Sequence, residues 1–208
     1  MASPCAERRR ARPRDAASLL LYRESSARGV ELLMGRRHRD LRFMPGMLVF
    51  PGGRVDRADY RAPVAAGLPG DTAAQLGLSA RPSLAKALGV CAARELEEET
   101  GLRLGGAAPD LSGLAYLTRA ITPATFPIRF HARFLLAPAE MALGEMRGSG
   151  ELEELRFFTP DELAAAPHAR ITAMIVEEFL RWRQDPARPL IRITGRDSRL
   201  PERLRQRP

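Results

Sequence analysis

The stretch AARELEEETGL, residues 92–102, gathers four glutamates, one arginine and a glycine into eleven positions. On a helix Glu95, Glu98 and Glu99 stand at i, i+3 and i+4, so their carboxylates share one face. Like charges at these spacings repel by roughly 0.2–0.5 kcal/mol per pair. Arg94 precedes Glu95 directly and Glu98 by four, so it can hold a carboxylate in place. Two readings of this face stand side by side: a solvated acidic surface, or a seat for a hard divalent cation. Magnesium takes oxygen ligands in a near-octahedral shell, completed by water and substrate phosphate. Upstream, Phe50-Pro51-Gly52-Gly53 supplies a turn whose backbone carbonyls could approach such an ion.

The acidic face needs a helix to carry it. Ser83, after Pro82, is the expected N-cap, and Gly101 sits where a C′ glycine ends a helix. Leu84, Ala87, Leu88, Cys91 and Leu96 give that helix an apolar side. AASLLLYRE (16–24) and GVELLMGRR (29–37) read as strands joined by a hairpin turn at ESSARG. MLVFPGG (47–53) is a short strand closed by its turn. Residues 60–82 scatter Pro, Gly and Ala without a clear period and read as an inserted loop. RFHARFLLA (129–137) alternates: Phe130, Ala132 and Phe134 point one way, Arg129, His131 and Arg133 the other. That basic face could line an anionic pocket or meet solvent. ELRFFTP (154–160) reads as a last strand. DELAAAP (161–167) and ITAMIVEEFLRWRQD (171–185) read as helices, the latter with a stripe of Ile171, Met174, Ile175, Phe179 and Trp182. Mixed strands, one central helix, more strands and a C-terminal helix make an α+β chain rather than a regular βαβ series.

With 208 residues and 45% hydrophobic content, the chain can build one packed domain. Its net charge is +8, carried by arginine; Lys86 is the only lysine. That balance favours an anionic partner. The charge collects at the ends, so 1–14 and 187–208 read as flexible basic tails around a domain at 15–186. The tails lack interleaved aromatics, so no nucleic-acid partner is expected. No apolar run is long enough to span a bilayer, and no secretory pattern follows the basic start. Cys5 and Cys91 have no metal-ligand spacing and suit a reducing, cytoplasmic setting.

The turn and the helix together resemble the Nudix box: Gly, five residues, Glu, seven residues, then Arg-Glu-apolar-x-Glu-Glu-x-Gly-apolar. Arg94 to Leu102 match the second half in full. In the first half Gly53 and five residues lead to Asp59 rather than Glu, and residues 60–93 replace the usual seven, so the box is split by an insertion. The resemblance implies an α/β/α sandwich with a mixed sheet, hydrolysing a nucleoside diphosphate linked to another moiety with magnesium or manganese. Carried over by position, Glu95, Glu98 and Glu99 are metal ligands, Gly52 lends a backbone carbonyl, and Arg94 steadies the glutamates. Glu98 and Glu99 are also catalytic candidates.

Within the family, residues 32–56 and ITPATFPIRFHARFLLA (121–137) look most like the coenzyme A diphosphatase branch, of the peroxisomal type and its bacterial relatives. Arg37 departs from a usual Ser and Met44 from a usual His. The implied substrate is coenzyme A or acyl-coenzyme A, giving 3′,5′-ADP and (acyl)phosphopantetheine. The alternatives are an ADP-ribose or dinucleotide pyrophosphatase, or a non-catalytic module that binds a nucleotide or RNA. Nudix enzymes often take their base from a loop outside the box. Glu151, after Gly148-Ser149-Gly150, is the favoured candidate, ahead of Glu153, Glu154, Glu140 and Glu145. Arg36, Arg42 and Arg129 are the candidate substrate-binding arginines. The family also implies homodimers, although no stretch marks an interface.

Overall fold

A computed structural model describes residues 11–41 and 44–194, and the backbone of 202–205. Strands β1 (Arg14–Ser25) and β2 (Gly29–Arg37) form the hairpin read from the sequence, with Gly29 in the left-handed region at φ 73°. Two short strands follow, β3 (Leu48–Val49) and β4 (Gly52–Arg54). Later come β6 (Ala115–Ile121), β7 (Phe130–Pro138), β9 (Leu152–Phe158), β10 (Ile191–Thr194) and β11 (Glu202–Arg205). The order across the sheet is β11-β10-β6-β7-β1-β2-β3, with β4 beside the first half of β1 and β9 beside β2. Pairs β1–β7 and β6–β10 are parallel and the rest antiparallel, so the sheet is mixed. A separate pair, β5 (Arg103–Leu104) and β8 (Ala142–Leu143), follows the central helix.

Both faces of the sheet are covered, which is why β1 reads as an unbroken Leu19-Leu20-Leu21 run. Leu19 and Leu21 join Leu33, Leu135 and Ala137 under α1 (Gly70–Gly77) and α2 (Pro82–Thr100). Leu20 joins Leu32, Met34 and Leu136 under α3 (Pro160–Ala165) and α4 (Arg170–Gln184). The result is the α/β/α sandwich of the α+β class expected above. Helix α2 buries Leu84, Ala87, Leu88, Cys91 and Leu96 and ends at Gly101, φ 75°. No described helix is long and apolar enough to cross a membrane.

Several local readings change. Helix α2 begins at Pro82, with Arg81 extended before it, so Ser83 is not its cap. A proline at the first helical position costs no hydrogen bond and has a helical φ already. Residues 60–82 are not a bare loop. They carry α1, whose Thr72 hydroxyl donates to the Leu114 carbonyl (2.8 Å) and whose Leu76 is fully buried. The 187–208 segment read as a tail supplies β10 and β11. There the density of arginines masked a short alternating run: Ile193 is buried, and the Thr118 hydroxyl donates to the Ile191 carbonyl. Likewise Arg14 already belongs to β1.

Candidate active site

The acidic face of α2 meets the sheet at Gly52 and Gly53. A Cβ on Gly53 would collide with Glu95 Oε1, so only a missing side chain lets that carboxylate rest against β4. The Gly52 N–H donates to Glu99 Oε2 at 3.0 Å. Glu99 is 4% exposed, and burial pushes its carboxyl up to about 8. Glu95 and Glu151 repel it further, while the Gly52 N–H and Arg37 pull the other way. Glu95 is raised as well, by burial first, against the opposing pull of Arg94.

Arg94 organises this face. Nη1 donates to Glu95 Oε1 (2.8 Å) and Glu98 Oε2 (2.9 Å). Nε and Nη2 grip Asp59 at 2.9 and 3.2 Å, and Nη2 also reaches the Arg54 carbonyl. Asp59 is 1% exposed and accepts the Asp56 N–H at 2.7 Å. The residue that departs from the box pattern therefore anchors its arginine. Glu98 is drawn outward by Arg94, and its side chain is 58% exposed. Cys91 lies beneath, its thiol pushed up by burial and by Asp59 and Glu95, which makes it an inert core residue.

Glu95 and Glu99 border a cavity of about 680 Å³. Glu151 and Arg37 line it close to Glu99, and Arg54 lines it as well. The rest is mostly apolar: Phe50, Phe126, Phe130, Phe134, Ile175 and Ile193 stand among its walls. Its floor exists because small residues face it side by side from neighbouring strands. Ala16, Ala132 and Ala120 are register partners across β1, β7 and β6.

Of the sequence candidates, the structure brings Gly52, Glu95, Glu99 and Glu151 to the cavity, with Arg94 and Glu98 adjoining. Arg36 lies elsewhere, paired with Glu154 at 2.9 Å and donating to the Gly46 carbonyl. Arg129 donates to the Thr122 and Ala11 carbonyls, and it is Phe130, Ala132 and Phe134 that face the cavity from β7. Arg42 lies outside the described residues. Arg37 was missed. Its Nε is buried without a hydrogen-bond partner, and the side chain lines the cavity near Glu99. The two-residue strand period held the signal: Arg37 shares a face with Leu33, which packs toward α2.

Among the described residues no three acidic, histidine or cysteine side chains close around one point. The donor set nonetheless fits a hard cation. Glu95 and Glu99 both border the cavity and repel one another, and magnesium commonly needs only one or two carboxylates beside water and substrate phosphate. Glu99, buried and crowded by Glu95 and Glu151, is the group such an ion would relieve.

Residues 84–179 match the family model of the NUDIX domain. A NUDIX hydrolase from Alicyclobacillus acidocaldarius superposes with a TM-score of 0.59 at 26% identity, covering 80% of this chain and 90% of that one. A MutT NUDIX hydrolase from Burkholderia pseudomallei gives 0.53 at 21% identity, over 81% and 98%. The NUDIX domain of Shewanella oneidensis NrtR, solved with ADP ribose, gives 0.55 at 12%, over 84% and 90%. These last two likenesses speak for the fold alone. No curated protein matches the chain. The sandwich of helices on a mixed sheet is thus the Nudix fold. Residues 84–179 thus make a Nudix domain, and the chain is an enzyme similar to the Nudix hydrolases. Enzymes of this class act on small phosphate-containing substrates and generally use divalent metal ions.

Proposed function

We propose that this enzyme cleaves the pyrophosphate bond of coenzyme A or, preferably, acyl-coenzyme A, releasing 3′,5′-ADP and (acyl)phosphopantetheine. The observation that carries this reading is the joining of an acidic end to a large apolar chamber in one cavity. A pyrophosphate fits the acidic end with its ion, and an apolar acyl-bearing arm fits the Phe50–Phe130–Phe134 walls. ADP-ribose has no comparable apolar arm.

Glu95 and Glu99 are the proposed ligands of magnesium or manganese, with the Gly52 carbonyl beside them and Glu98 assisting from the rim. The ion would neutralise charge on the phosphoryl oxygens and activate a water. Arg94, fixed by Asp59, keeps Glu95 and Glu98 in place. Arg37 offers a guanidinium to a substrate phosphate. Glu151, on the cavity wall facing Glu99, is the proposed base that takes the water's proton.

Product analysis tests the reading. Purified protein and a Glu99→Gln variant are incubated with coenzyme A, acetyl-coenzyme A, ADP-ribose and NADH, with magnesium or manganese. The expected result is 3′,5′-ADP from the coenzyme A compounds, lost in the variant. AMP from ADP-ribose or NADH alone would keep the mechanism and remove the coenzyme A assignment.

A further inference from the structure

The sheet has a second face at the cavity floor, and three arginines stand there in a row. Arg192 of β10 is the register partner of Arg119 on β6, and Arg119 is the partner of Arg133 on β7. Partners in register share a face, and neighbouring strands lie about 4.8 Å apart, so the row spans roughly 10 Å. Their neighbours Ile193, Ala120 and Ala132 line the catalytic cavity, so the arginines point away from it.

Like charges directly opposite in a sheet are destabilising. Here they meet little compensation. Arg133, 1% exposed, pairs with Asp15 and donates to the His131 and Ser79 carbonyls at 2.8 and 3.1 Å. Arg119 donates to His131 Nε2 at 3.0 Å. Burial and the three arginines hold His131 down to about 4, so it is neutral near pH 7 and adds no charge of its own. Among the described residues neither Arg119 nor Arg192 makes an ion pair. The Nε atoms of all three arginines are buried without a partner.

The three guanidinium groups are therefore unequal. Arg133 is a fixed floor and Arg119 is braced by His131. The Arg192 guanidinium has no hydrogen-bond partner among the described residues. Guanidinium forks match the oxygens of a phosphoryl group, and two on adjacent strands can bracket one. We propose that Arg192, Arg119 and Arg133 form a second anion site, on the sheet face opposite the catalytic cavity, for a phosphoryl group of a small ligand. Inorganic phosphate, pyrophosphate and the terminal phosphate of a phosphorylated metabolite share the required chemistry. The span of the row and its buried floor suit a compact anion better than a polymer.

The test is calorimetric titration and thermal shift of the full chain at constant ionic strength, with EDTA present to keep metal from the carboxylates. Inorganic phosphate, pyrophosphate and adenosine monophosphate are compared with chloride. Saturable binding is expected for at least one of the three, and the ligand that binds tightest identifies the source. Arg192→Gln and Arg119→Gln should each weaken it roughly tenfold or more, the worth of one charge-assisted contact. Arg37→Gln, in the catalytic cavity, should leave it unchanged. Either of the first two variants suffices if its circular dichroism in chloride matches the parent. Absence of saturable binding would overturn the proposal. So would binding lost in Arg37→Gln and kept in Arg192→Gln, which would place the anion in the catalytic cavity.

Discussion

At the residue scale, the acidic face of α2 depends on Asp59, which is not among the carboxylates that face the cavity. It is buried and takes two bonds from Arg94, and Arg94 in turn holds Glu95 and Glu98. Removing one partner of a buried pair leaves the other charge without compensation, which costs about 3–5 kcal/mol in fully buried cases. Arg94 keeps a quarter of its side chain in solvent, which discounts that figure. Asp59→Asn is therefore expected to fold with a lowered Tm. Supports that orient metal ligands from behind typically cost 10–100-fold in metal affinity or activity when mutated. A fall of roughly that size is expected in kcat and in manganese affinity for Asp59→Asn. Steady-state kinetics and metal titration check it, and unchanged values in both would show that Arg94 needs no anchor.

At the scale of elements, β4 and α2 meet through two glycines with different duties. The atoms nearest to a Cβ on Gly53 would be the end of the Glu95 side chain, which can move aside. Gly53→Ala should therefore fold near the parent Tm while activity drops, because the displaced group is a carboxylate of the site. A Cβ on Gly52 would lie 2.6 Å from the Ala17 carbonyl oxygen and from Ser18 Cα, which are backbone of β1. Gly52→Ala should lose stability on the order of 1–3 kcal/mol, as forced overpacking does. Denaturant unfolding of both variants, beside their rates, separates the two duties; equal stabilities would refute the distinction.

The same junction shows what was legible in the sequence. The run from Arg94 to Leu102 displayed the acidic face, because a helix repeats on a short local period. Glu151, singled out from its loop, lines the cavity. Arg37 was not among the arginine candidates because which strand face meets α2 is a tertiary fact, although the period of two was visible. Strand β10 was hidden in basic composition, and α1 in a segment rich in helix breakers, since both are held by contacts distant in sequence. The cavity itself was beyond local reading. Its floor needs Ala16, Ala120 and Ala132 to come into register from three strands.

At the scale of the whole molecule, the buried carboxylate couples folding to pH and to metal. Glu99 titrates at about 8 in the folded, metal-free chain against an ordinary 4.5, chiefly because burial disfavours its charge. Between those values the native state holds a proton that the unfolded state has released. Stability then falls as pH rises, since the slope follows protons bound unfolded minus protons bound folded. In EDTA the group's contribution is complete below the unfolded value and is lost as pH climbs through about 8. A divalent ion takes the proton's place, because carboxylate ligands must be deprotonated to bind it. Saturating manganese should therefore raise Tm little near pH 5 and most near pH 8, through binding to the native state alone. Glu99→Gln carries no titratable group at this position, so its Tm in EDTA should decline less between pH 5 and 8 than that of the parent. Thermal melts of both proteins across that range, with EDTA or manganese, measure the difference. Parallel parent and variant curves in EDTA would mean that Glu99 is ionised throughout, and its burial would then have to be compensated by Arg37 and the Gly52 N–H alone.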